Sequence, residues 1–131
     1  MIQILSAENY SANLKATVQK TGKLGFTEAT QKSLGLSDGK YVKFAQDSDK
    51  GEMYIAITDH ENKDSFKVCK AGAYYYLGTK LLFDALGYDY LKKTIMFDLK
   101  RDKSLDEELQ GDVYKMIKRE IPRKLKKEED M

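Results

Sequence analysis

The residues best suited to chemistry in this chain are lysines and tyrosines. "AYYYLG" at 73–78 is the densest aromatic cluster, with Lys67 and Lys70 just upstream and Tyr88 and Tyr90 close behind. On a strand, alternation places Tyr74 and Tyr76 on one face and Tyr75 on the other. Exposed tyrosines beside lysines can stack unpaired bases while the cations hold phosphate, as β-sheet single-strand binders do. The competing reading is a strand packed on both sides, because tyrosine favours strands. Lys15, Lys20, Lys23, Lys67, Lys70 and Lys80 lie on predicted strands and turns, and Lys32 on a predicted helix. Grouped on one face, they would neutralise the phosphates of a nucleic acid. Dispersed, they are a solvated surface with lysines guarding strand edges.

Other chemistry is poorly provided for. His60, the single histidine, sits in "TDHENKD" with Asp59, Glu61 and Asp64. That spacing matches no zinc or calcium motif, so a solvated loop is expected and no metal. Cys69 alternates with apolar residues and lysines in "FKVCKAG" and reads as a small packed hydrophobe. No nucleophile–base pair, phosphate-binding loop or dinucleotide fingerprint is present, so neither an enzyme nor a cofactor is expected.

Composition sets the frame for these groups. The chain has 131 residues, 41% hydrophobic and 34% charged, which suits one domain with a real core. No window is apolar enough for a membrane span, and "MIQILSAENYSANL" lacks the features of a signal peptide. A lone cysteine fits a reducing cytoplasm. The net charge of +2 is unevenly spread: residues 66–103 carry 8 basic and 4 acidic side chains, whereas 1–65 carry 8 and 9. The middle of the chain is the part expected to face an anion.

The elements that must position these residues follow from pattern. "LKATVQK" (14–20) alternates and predicts a strand, Thr21-Gly22 a turn, and "KLGF" more strand. Thr27 is a natural N-cap for "EATQKSL", and Gly35 its C-cap. Ser37-Asp38-Gly39 predicts a turn, "KYVKFA" a strand, "DSDKGE" a hairpin loop and "MYIAIT" its returning strand. After a polar loop at 59–64 the pattern recurs. "VQKTG" is echoed by "VCKAG", "TEATQKSLGL" by "TKLLFDALGY", and "KYVKF" by "TIMFDL". Two similar halves, about 14–58 and 66–99, would share one core within a β-rich domain at 1–103.

The segment 104–122 reads as an amphipathic helix. Ser104 and Glu107 form a capping-box pattern, and Leu105, Leu109, Val113, Met116, Ile117 and Ile121 trace one helical face up to Pro122. Such a helix would either complete the core or dock a homodimer or protein partner through that face. Residues 123–131 read as a charged, flexible tail.

Residues 15–44 resemble the AbrB-type swapped-hairpin family, which includes MazE-like antitoxins and the two-repeat MraZ regulators. Gly22, Lys23, Leu24, Phe26, Leu34, Gly35, Leu36, Gly39 and Val42 occupy the family's pattern positions without a gap. Thr27 and Thr79 stand where the family has proline. Lys23, Gln31 and Lys32 stand where it has DNA-reading arginines, and the first 100 residues contain no arginine. Lysine lacks the planar fork for bidentate guanine contacts, so the likeness implies backbone contacts with weak base readout.

The expected fold is therefore α+β: a hairpin-rich, pseudo-duplicated barrel or sheet with a short helix per repeat and a C-terminal amphipathic helix. The expected function is a cytoplasmic nucleic-acid-binding regulator that resembles AbrB- and MraZ-type transcription factors and contacts DNA mainly through its phosphate backbone. A docking module using the C-terminal helix and a single-strand binder using Tyr74 and Tyr76 are the alternatives.

Overall fold

In the computed structural model, which describes residues 1–5 and 14–122, nine strands form one antiparallel sheet. In chain order they are β1 (Lys15–Val18), β2 (Leu24–Phe26), β3 (Tyr41–Gln46), β4 (Met53–Thr58) and β5 (Ser65–Lys67). These are followed by β6 (Cys69–Ala71), β7 (Tyr74–Leu77), β8 (Lys93–Arg101) and β9 (Asp112–Pro122). Helix α1 (Glu28–Leu34) lies between β2 and β3, and α2 (Lys80–Ala85) between β7 and β8. A 3-10 turn (Lys103–Leu105) and a four-residue helix α3 (Asp106–Leu109) precede β9. The tail expected at 123–131 lies outside the described residues.

The strand order is β5-β3-β4-β9-β8-β1-β2-β7-β6. Its two ends, β5 and β6, are separated in the chain only by Val68. One bent segment thus pairs with β3 on one side and with β7 on the other, and the sheet curls into a nearly closed barrel. Val68 is 2% exposed, and its N–H donates to the Lys40 carbonyl at 3.0 Å. Closure hides strand edges that would otherwise invite aggregation. Hairpins from before and after the 59–64 loop alternate around the wall, because β1 pairs β8, β2 pairs β7, β3 pairs β5 and β4 pairs β9.

Alternation fills the interior. Val18, Leu24, Val42, Ile55, Leu77, Ile95 and Phe97 point inward and are fully buried. Each helix closes part of an end. Thr27 caps α1 by accepting the Thr30 N–H at 3.3 Å, and Gly35 ends it with φ 66°. The Thr30 hydroxyl oxygen accepts the Lys15 N–H at 2.7 Å, which ties α1 to the start of β1. At the other end, α2 inserts Phe83. Its ring stacks on Tyr88 (5.3 Å) and Phe97 (6.2 Å) and meets Phe44 edge-on (6.3 Å). Thr79 stands at the N-cap position of α2 but donates its hydroxyl to the Gly22 carbonyl at 2.9 Å, so it staples the helix to the β1–β2 turn.

The α+β architecture is corrected to a predominantly β barrel, and the C-terminal helix over 104–122 is not formed. Only the 103–109 stretch is helical. Gln110 then adopts φ 56°, and residues 112–122 become the longest strand. The capping-box reading fails with it, since Asp102 caps the turn by accepting the Ser104 N–H at 3.1 Å. Leu105 and Leu109 are left half-buried on the short helical turn. Val113 and Met116 are buried on opposite faces of β9, and Ile117 is exposed. They share no helical stripe on which a partner could dock.

Candidate nucleic-acid-binding face

Four adjacent strands, β1, β2, β7 and β6, form one wall of the barrel. Neither they nor the turns joining β1 to β2 and β6 to β7 contain a carboxylate. Since Ala16, Val18, Leu24, Phe26 and Leu77 point inward, Lys15, Thr17, Gly25, Tyr74 and Tyr76 lie on the outer face, where both tyrosines are half-buried instead of fully exposed. Tyr74 and Tyr76 are stacked, with ring centroids 5.9 Å apart and planes 26° apart. The Lys23 ammonium lies 4.5 Å from the Tyr76 centroid, a cation–π contact that fixes one end of the pair.

Gly25 makes this packing possible. A Cβ there would stand 2.6 Å from Gln19 Nε2 and 3.0 Å from the Tyr74 hydroxyl, so both side chains lie across bare backbone. Burial pushes the Tyr74 phenol above its ordinary pKa, with a smaller contribution from Tyr76. Tyr75 turns the other way. Its N–H donates to Gln31 Oε1 at 2.7 Å, and its ring packs on the core with Lys70 at 5.9 Å. Beside Tyr74, an open groove of about 510 Å³ runs along α1, lined by Phe26, Gln31, Leu36, Ala73 and the Glu28–Lys32 ion pair among others.

The predicted lysines divide by partner. Among the described residues Lys15, Lys20, Lys23, Lys67 and Lys70 have no ion pair, while Lys32 pairs with Glu28 at 3.3 Å and Lys80 with Asp84 at 2.8 Å. By contrast, Lys93, Arg101, Lys115, Lys118 and Arg119 of β8 and β9 each lie against a carboxylate. Lys20 and Lys23 flank the β1–β2 turn, where Lys80 crowds Gly22. Lys70 sits at the opposite end of the β2–β7 pair, because Leu24 opposes Leu77 in antiparallel register. Lys67 lies on β5, opposite Tyr41 and around the bend at Val68. The turns of the two halves therefore do not adjoin, and the cations line a wall instead.

Residues of the acidic loop are not assembled for metal. Asp59 turns to Lys40, which draws its pKa down, and the His60 backbone N–H donates to Thr58 Oγ1 at 3.2 Å. Among the described residues no group of three or more His, Cys, Asp or Glu side chains converges. Cys69 is half-buried on β6, and its thiol faces the Lys67 carbonyl at 3.6 Å. Gln19 and Gly25 were missed by reading the sequence, and Gln31, marked there only as standing at an arginine position, instead accepts the Tyr75 N–H. The available signal was a glycine between Leu24 and Phe26, inside a strand, where it marks close approach by another group.

Among the described residues no helix is long and apolar enough to cross a membrane. Comparison of the chain with protein-family models, curated proteins and solved structures finds no match in any of the three.

Proposed function

We propose that this protein is a cytoplasmic single-stranded nucleic-acid-binding module that uses the β1–β2–β7–β6 wall. The observation that carries the reading is the stacked Tyr74–Tyr76 pair, held by Lys23 on a wall without carboxylates. Tyrosine faces stack unpaired bases of any sequence, and unpaired lysines neutralise the phosphates between them. The groove along α1 leaves room beside Tyr74 for a flanking base or sugar. Duplex DNA offers no splayed base to such a pair, and a wall without arginine is poorly equipped for bidentate base readout.

The test is fluorescence anisotropy with mixed-sequence single-stranded and duplex oligonucleotides, titrated across salt. Micromolar, salt-sensitive binding to single strands is expected. The Tyr74→Leu/Tyr76→Leu variant should bind roughly tenfold or more weakly, since each stacked base contributes about 1–3 kcal/mol. Tyr74→Phe/Tyr76→Phe should retain binding. Lys15→Ala/Lys23→Ala should reduce the salt slope by about 1.4, at about 0.7 per phosphate contact. Absence of binding at low salt, or leucine variants that bind as well as wild type, overturns the proposal. Preference for duplex would transfer the function to a regulator that contacts mainly the phosphate backbone.

A further inference from the structure

A different wall carries a second feature. β9 pairs with β4 only as far as Met53↔Met116, whereas its pairing with β8 continues to Lys93↔Pro122. Residues 117–122 therefore have β8 on one side and, among the described residues, no strand on the other. Ile117 and Ile121 lie on this edge at 43% and 49% exposure.

Hydrogen-bond phase fixes what the edge offers. The Asp102 N–H donates to the Val113 carbonyl at 2.9 Å, so alternate residues Lys115, Ile117, Arg119 and Ile121 turn their backbone groups to β8. The N–H and C=O groups of Lys118 and Glu120 then point outward. In an antiparallel pair of two such edges centred on Arg119, Lys118 of one copy opposes Glu120 of the other, and Ile117 opposes Ile121. The backbone phase is correct in this register, since Lys118 and Glu120 exchange both main-chain bonds. Charges of opposite sign meet on one face and apolar side chains on the other. The paired arginines are each already neutralised by Asp98, at 2.9 Å.

We propose that "IKREI" at 117–121 is a self-recognition strand, through which a second copy of this chain extends the barrel wall across a two-fold axis. The occupant is a second copy because the segment is complementary to itself in sequence, charge and backbone phase (an isologous contact). The short contact makes the dimer weak and concentration-dependent.

The experiment is sedimentation velocity from micromolar to millimolar protein, together with amide hydrogen exchange. Wild type should dimerise, and the Lys118 and Glu120 amides should gain protection only at high concentration. Glu120→Lys and Lys118→Glu each place like charges opposite one another and should weaken the dimer roughly tenfold. The double swap Lys118→Glu/Glu120→Lys recreates opposite charges and should restore it. Thermal melts confirm folding of each variant, which matters because Lys118 and Glu120 also pair with each other within one chain at 3.0 Å, Lys118 lies over Tyr88 and Glu120 meets Lys93, so only the concentration-dependent readouts report the contact between copies. A monomer throughout, a dimer indifferent to the single variants, failed restoration by the swap, or protection independent of concentration overturns the proposal. No arm of this test involves nucleic acid, so it stands apart from the function proposed above.

Discussion

The Asp106 carboxylate takes both terminal nitrogens of Arg101, at 2.6 and 2.7 Å, and the Val113 N–H at 3.0 Å. Arg101 in turn donates to the Val113 carbonyl at 3.1 Å and lies 5.5 Å from the Tyr114 ring. One bidentate pair thus clamps the end of β8 to the start of β9. Arg101 holds the Asp106 pKa down from 3.8 to about 2, helped by the Val113 bond. A depressed carboxylate stabilises the fold above its unfolded pKa, and that contribution is lost as pH falls through the folded value. Asp106→Asn should therefore melt below wild type at neutral pH. The gap should close between about pH 4 and pH 2, as thermal melts across pH would read. A gap that stays constant would assign the loss to packing instead of charge. At this scale the caps of α1 were legible in the sequence, since Thr27 and Gly35 sit where local pattern placed them, whereas the Ser104 cap was not formed. Asp106 was not, because its partners lie five and seven residues away across a chain reversal.

Residues 104–122 fit two periods at once, which is why the element was misread. Leu105, Leu109, Val113, Met116, Ile117 and Ile121 satisfy a helix, whereas Tyr114 and Met116 inward with Lys115 and Ile117 outward satisfy a strand. Context chooses, and Gly111 is where it acts. A Cβ at Gly111 would stand 2.6 Å from the Ile57 carbonyl oxygen, so the backbone of β4 approaches as only glycine allows. This gives a test by sign. In a helix Gly111→Ala would stabilise by up to about 1 kcal/mol. Against β4 it should destabilise by about 1–3 kcal/mol, since a carbonyl must shift to admit the methyl. Denaturant unfolding of the single variant decides, and stabilisation would contradict the strand. The tyrosine strand was legible as a strand because tyrosine favours strands, but three tyrosines in a row left open whether one face or both are packed. Gly25, which lets Tyr74 lie flat across β2, acts through a neighbour 49 residues away and left only a weak local mark.

Closure of the barrel had no local signature at all. β5 and β6 are three residues each, too short for a period, and their partners β3 and β7 are known only from the assembled sheet. The same non-local pairing determines how the whole molecule holds together. Every contact between hairpins around the wall joins a strand from before the 59–64 loop to one from after it. Each helix adds a bond of the same kind: Gln31 of α1 accepts the Tyr75 N–H, and Thr79 before α2 donates to the Gly22 carbonyl. Each half alone would expose the apolar face of its hairpins to water, with no complementary wall to cover it. Chains cut within 59–64 should therefore be unfolded when separate, with little far-ultraviolet strand signal. Mixed in equal amounts, they should recover the strand signal and near-ultraviolet tyrosine bands of the intact protein. A half that folds alone would make the two similar segments independent units. Recovery only on mixing would establish that the duplicated pattern encodes one interleaved core, whose wall of lysines and tyrosines exists only after both halves have met.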